Sequence, residues 1–132
     1  MNAEAIKIWL KKSKSNLTIA LEVKKEPDIL YEDLCFEAQQ SAEKALKALL
    51  LFYGAKIEKT HSIEYLLKLI EQNGNITIPE YIKEAAILTD YAVTTRYPGD
   101  WEPVDEAEYL TAVKLAGDVY DWVSEIVGPV SG

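Results

Sequence analysis

Apolar residues recur at helical spacing along most of this chain, and no stretch alternates with the two-residue period of a half-buried strand. Each helix so patterned must bury a stripe against another helix, so the pattern predicts an all-α fold. Ala5, Ile8, Trp9, Leu17, Ala20 and Leu21 describe a first helix that ends before Pro27. Asp28 is placed to cap a second helix running to Phe52 or Tyr53, with Gly54 as its left-handed stop. The inner face of that helix reads Leu34, Ala38, Ala42, Ala45, Leu49, Phe52. Its three alanines allow close backbone approach, which predicts a central position in the bundle and also suits a face against a second subunit.

Thr60 or Ser62 starts a third helix through about Gln72, closed by Asn73-Gly74-Asn75. Pro79 fits the first position of a fourth helix that includes Tyr81, Ala85, Leu88 and Thr89. Asp105 with Glu108 makes a capping-box-like start for a last helix with apolar positions Leu110, Val113, Leu115, Val119, Trp122 and Ile126. The expected architecture is an up-and-down bundle of about five helices joined by short loops. At 132 residues the chain is read as one domain over 1–127, followed by a flexible tail over 128–132.

Between the fourth and fifth helices lies Thr94-Thr95-Arg96-Tyr97-Pro98-Gly99-Asp100, which carries the chain's one arginine against thirteen lysines. A planar guanidinium grips a carboxylate or phosphate in fixed geometry better than an ammonium does, so Arg96 is the leading candidate for a functional cation. The alternative is an arginine that pins its own loop. Tyr91, Tyr97 and Trp101 surround it in sequence. Rings interleaved with a guanidinium can stack a base while its phosphate is held, or can seal the loop against the bundle.

Charge narrows the partners. The formal net charge is -8, which opposes generic, charge-driven DNA binding. Residues 1–60 nevertheless hold ten lysines against nine acids, and residues 61–132 hold four cations against thirteen acids. Lys7, Lys11, Lys12, Lys14, Lys24 and Lys25 form a local basic strip, read first as a solvated helix face. No apolar run is long enough to cross a bilayer, and residues 1–10 carry charge and amphipathic spacing rather than a signal-peptide core. A single cysteine, Cys35, excludes an internal disulfide, fits a reducing cytoplasm and is expected as a small buried hydrophobe.

One histidine, His61, cannot furnish a zinc site or a di-iron bundle, and no Gly-rich phosphate loop is present. Glu37, Asp90 and Asp100 can be drawn together around magnesium, but their spacing does not require it. No metal and no cofactor is expected beyond a nucleotide ligand. His61 either helps Thr60 and Ser62 cap the third helix, the preferred reading, or approaches Arg96 as a base or phosphate donor. Glu43 and Lys47 stand one helical turn apart, which suits an ion pair of a few tenths of a kcal/mol.

Three segments together resemble the HEPN domains (higher eukaryote and prokaryote nucleotide-binding). They are Cys35-Phe36-Glu37-Ala38-Gln39-Gln40-Ser41-Ala42-Glu43-Lys44-Ala45-Leu46-Lys47-Ala48-Leu49-Leu50, Lys59-Thr60-His61-Ser62-Ile63, and Thr95-Arg96-Tyr97-Pro98. The resemblance implies a helical bundle, usually a homodimer, with the loop arginine near a cleft shared by two subunits. It places Arg96 at that cleft with Glu43 and Lys47 lining it, and Tyr97, Asp100 and Trp101, beside Arg96 in sequence, are carried as candidate nucleotide- or phosphate-binding residues with it. It also implies pairing with a minimal nucleotidyltransferase, sometimes as a toxin–antitoxin couple. One departure bears on activity. HEPN ribonucleases carry a histidine separated from the arginine by four to six intervening residues, and those slots hold Trp101, Glu102 and Pro103. None supplies an imidazole, so the chain resembles the branch whose loop reads Arg-Tyr-Pro and is not expected to be an enzyme.

The leading expectation is therefore a cytoplasmic nucleotide- or RNA-phosphate-binding bundle that partners a minimal nucleotidyltransferase. A residual metal-independent ribonuclease using Arg96 and His61 is the first alternative. A non-catalytic dimeric interaction module, with the alanine-lined second helix as its seam, is the other.

Overall fold

The computed structural model describes residues 2–22, 26–92 and 103–129. Among these residues five α-helices follow in order: α1 (Ala3–Glu22), α2 (Tyr31–Phe52), α3 (Ile63–Gly74), α4 (Glu80–Lys83) and α5 (Glu106–Val127). A 3-10 segment (Glu84–Tyr91) continues directly from α4. No strand occurs among the described residues, as the apolar period requires.

The second helix forms the centre of the bundle. Thirteen of its 22 residues are buried, and it packs against α1, α5, α3 and the 3-10 segment. Leu34, Ala38, Ala42, Ala45 and Leu49 are inside as expected, and Cys35 is buried with them. Small residues set the α1–α2 approach. Ser13 is buried on α1 and its hydroxyl donates to the Ser41 carbonyl on α2 at 2.7 Å, so a polar side chain sits in the seam with its hydrogen bond made.

The start of α2 differs from expectation. Asp28 does not cap it; Leu30 occupies the N-cap position with extended backbone and no side-chain bond. A turn closed by the Ile29 amide on the Glu26 carbonyl takes up Pro27 and Asp28, and the helix begins beyond it. The far end behaves as read. Gly54 adopts φ +81°, while Ala55 and Gly54 amides bond back to the Leu50 and Leu51 carbonyls, a Schellman closure.

Ser62 caps α3 by accepting from the Tyr65 amide, and left-handed Asn75 (φ 51°) ends it. Pro79 stands at the N-cap position of α4, one residue earlier than expected. The expected fourth helix is α-helical only through Lys83 and then tightens into the 3-10 segment. Ile82, Ala85 and Leu88 are all fully buried and three residues apart, a spacing that aligns on one stripe of a three-residue turn.

In α5, Asp105 caps by accepting from the Glu108 amide at 2.8 Å. The capping box is not reciprocal, because the Glu108 carboxylate instead accepts from the Tyr91 hydroxyl. Two buried stripes sit differently from the sequence reading. On α1 the inward residues are Ile6, Ser13, Leu17 and Ala20, whereas Ile8 and Leu21 are exposed. On α5, Tyr109 faces inward and donates its hydroxyl to the Ala20 carbonyl, while Leu110 is exposed. Among the described residues no helix is long and apolar enough to cross a membrane.

Candidate functional site

Residues 39, 43 and 47 lie at successive helical turns of α2, so Gln39, Glu43 and Lys47 form one stripe on the central helix. All three are buried; Glu43 is 4 % and Lys47 7 % exposed. The i,i+4 ion pair that their spacing suggests therefore lies out of water. The Lys47 ammonium donates to Glu43 Oε2 at 2.9 Å. The other oxygen, Oε1, accepts from Gln39 Nε2 at 3.0 Å and meets His61 Nδ1 at 2.9 Å.

The segment leading to α3 delivers His61 to this stripe. Its carbonyl accepts from Gln39 Nε2 (3.3 Å), the next amide, Ser62, donates to Thr60 Oγ1 (3.1 Å), and the Ile63 amide donates to Thr89 Oγ1 on the 3-10 segment (3.0 Å). Three consecutive residues are thus pinned through backbone groups. His61 does not cap α3, since Ser62 performs that role and the imidazole turns toward Glu43 instead. The His61 side chain remains 64 % exposed. A buried carboxylate therefore holds one edge of a ring whose remainder faces solvent.

Electrostatically the group is tightly balanced. Burial alone would push the Glu43 carboxyl up; hydrogen bonds from Gln39, His61 and Lys47, with the Lys47 charge, outweigh it and hold the group below its ordinary value. Glu43 therefore stays ionised at neutral pH. The Lys47 ammonium also lies 5.8 Å from the centre of the Trp9 ring on α1, and Lys12 stands 5.7 Å from that same ring. Aromatic faces attract cations at this range, so Trp9 supports a lysine that has left water.

Of the residues singled out from sequence, Glu43, Lys47 and His61 are brought into one cluster. Arg96, Tyr97, Asp100 and Trp101 lie outside the described residues. Gln39 and Trp9 were missed as members of the cluster. The signal for Gln39 was available: it is polar, one turn before Glu43, on a helix otherwise lined by alanine and leucine. Glu37, considered for a metal, accepts from Asn16 on α1 at 2.8 Å. Among the described residues no group of three or more His, Cys, Asp or Glu side chains stands ready for a metal ion. An open groove of about 350 Å³ runs between α3 and the α4 region, lined by Glu64, Leu67, Lys68, Glu71, Lys83 and Ala86, and it includes no member of the cluster. The lysines of α1 that are described, Lys7, Lys11, Lys12 and Lys14, are exposed.

Known proteins share this fold. The fold is similar to the crystal structure of TT1696 from Thermus thermophilus, with 34% identity, a TM-score of 0.80, and coverage of 95% of this chain and 98% of that one. It is similar also to ST0689, an archaeal HEPN homologue, at 28% identity and a TM-score of 0.75, covering 93% of this chain and 98% of the other. No curated protein matches. Residues 6–126 match the HEPN domain, which takes in the central helix, the His61 segment and both terminal helices. This chain belongs to the HEPN domain family.

Proposed function

We propose that this chain binds a nucleotide or RNA phosphate and serves as the partner subunit of a minimal nucleotidyltransferase, in a toxin–antitoxin-like couple. The observation that carries the binding reading is the exposed His61 imidazole fastened from behind by a buried, ionised Glu43. A helical bundle gains little stability from an arrangement that holds an imidazole at its surface with buried charge. It gains a fixed polar group facing solvent. In this reading the Arg96 guanidinium grips the phosphate, and Tyr97 or Trp101 stacks on the base, with Asp100 in the same loop. Net charge of -8 makes such local grip necessary, because the protein's overall field repels polyanions. The homodimer, the cytoplasmic setting and the nucleotidyltransferase partner are drawn by analogy with the HEPN family and are part of the same proposal.

Titration of the purified protein with AMP and with a short single-stranded RNA tests the binding reading. Arg96→Lys is expected to weaken binding about tenfold while leaving the melting temperature nearly unchanged, because a point charge replaces a bidentate fork. A large drop in melting temperature with no ligand bound by the wild type would make Arg96 a structural residue. Co-purification from the native cell tests the partner.

A second reading, a metal-independent ribonuclease using Arg96 and His61, is favoured by one feature: a carboxylate-held imidazole is the arrangement a general base requires. It ranks below binding because no histidine follows Arg96 at the ribonuclease spacing. Cleavage of mixed RNA on a gel, lost in both Arg96→Ala and His61→Ala, would reverse that order.

A further inference from the structure

The hydrogen-bond pattern around His61 closes into a ring that leaves the imidazole a single arrangement. Gln39 Nε2 spends one hydrogen on Glu43 Oε1 and the other on the His61 carbonyl, and Gln40 Nε2 donates to Gln39 Oε1 at 2.7 Å. The amide of Gln39 has one tenable orientation. Turning it over would aim its oxygen at a carboxylate and a carbonyl, both acceptors. Glu43, ionised, has only acceptors to offer, so the proton between it and His61 belongs to Nδ1. We propose that Gln39 and Glu43 are positioning residues that lock neutral His61 in the Nδ1–H form, making its outward Nε2 a hydrogen-bond acceptor for a ligand hydroxyl such as that of a ribose.

The proposal deepens the nucleotide-binding reading and, for its ligand class, rests on it. A ring nitrogen with a free lone pair pairs with a donor. Phosphate oxygens at neutral pH are acceptors, whereas ribose hydroxyls donate as well as accept, and the 2′-hydroxyl is what separates a ribonucleotide from its deoxy counterpart. Neutral imidazole left to water favours the proton on Nε2, so the Nδ1–H form is a signature of the clamp rather than a default. Gln39 acts at both ends of it. It shares the oxygen that receives Nδ1, and it fixes the backbone from which the ring hangs.

The chain's one histidine makes the test direct, because every imidazole signal comes from His61. Long-range nitrogen–proton correlation spectra of the ligand-free protein are recorded at about pH 8, above the ordinary imidazole value near ~6.5. The wild type is expected to show the Nδ1–H pattern, and Gln39→Met and Glu43→Gln are expected to lose it. Retained helical circular dichroism shows that each variant is folded, and Gln39→Asn, whose amide falls one methylene short, replaces Gln39→Met if that variant does not fold. An Nε2–H wild type, or a pattern unchanged in the variants, would overturn the proposal. Affinity for AMP is expected to exceed that for 2′-deoxy-AMP roughly fivefold to tenfold in the wild type, the scale of one hydrogen bond, and Glu43→Gln should equalise the two. Equal wild-type affinities would remove the hydroxyl assignment. A clamp seen by resonance in a protein that binds neither nucleotide would instead refute the binding reading and leave the positioning roles standing.

Discussion

At the scale of single residues, Lys47 is the most exacting member of the cluster. Its ammonium is buried with one carboxylate partner and an aromatic face, so its charge is tolerable only while Glu43 stays ionised. Lys47→Met should cost about 3 kcal/mol in urea unfolding, because it leaves a buried carboxylate with its cation gone. Glu43→Leu combined with Lys47→Met should cost markedly less than the sum of the two single changes, since no charge is then stranded. The coupling has a pH signature. Folding lowers the Glu43 value, so its contribution is complete above the ordinary carboxyl value of 4.5 and is lost as pH falls through the lower folded value. The coupling measured in the cycle should therefore be constant near neutrality and shrink below about pH 4.5. Much of the cluster was legible in sequence as the Glu43–Lys47 spacing and as the solitary His61. Burial was not legible there, because an i,i+4 acid–base pair reads the same on a wet surface as in a core. The partnership of His61 with Glu43 joins residues eighteen apart, which no local pattern encodes.

At the scale of elements, the apolar period located the four long helices, and the fourth expected helix is found as a short α-helix running into a 3-10 segment; caps located several ends. Gly54, Ser62, Asn75 and Asp105 all perform the end-forming roles their residue types suggest. The two misplaced stripes share a cause. On α1 and α5 the sequence offers more large apolar residues than the seam can take, and the bundle buries Ile6 and Tyr109 while leaving Ile8 and Leu110 outside. Periodicity sets the spacing of a stripe but not its rotation when neighbouring residues are equally greasy. Tyr109 wins its place partly through a buried hydroxyl bond to α1, a preference that hydropathy does not record. The junction of α2 and α3 supplies a sharper test. A Cβ built on Gly74 would come within 2.6 Å of the Tyr53 ring, so Gly74 is where α3 closes on the end of α2. Gly74→Ala should destabilise by about 1–3 kcal/mol despite the better helix propensity of alanine. In a Tyr53→Leu background the same substitution should become neutral or stabilising, because only propensity remains. Equal penalties in both backgrounds would place the cost somewhere other than the ring.

At the scale of the whole molecule, an acidic protein that holds a polyanion must do so with few charges. The cation assigned to the proposed binding is Arg96, because the buried Lys47 ammonium is already paired with Glu43. The lysines exposed on α1, Lys7, Lys11, Lys12 and Lys14, form a separate supply that a longer strand would reach only by lying along the helix. Counterion release distinguishes these cases. Each phosphate neutralised on a single strand contributes about −0.7 to the slope of log affinity against log salt. A grip of one or two phosphates predicts a slope of roughly −0.7 to −1.4 between low and physiological salt. Repulsion between the ligand and a net charge of -8 is itself screened as salt rises, which flattens the dependence further. A short RNA titrated across that salt range should therefore lose only a few-fold in affinity. A slope of about −3 or steeper would require the α1 lysines as well, and changing Lys7, Lys11 and Lys14 together to glutamine should then bring it back to the shallow value. A shallow slope that survives this triple change excludes the α1 lysines from recognition.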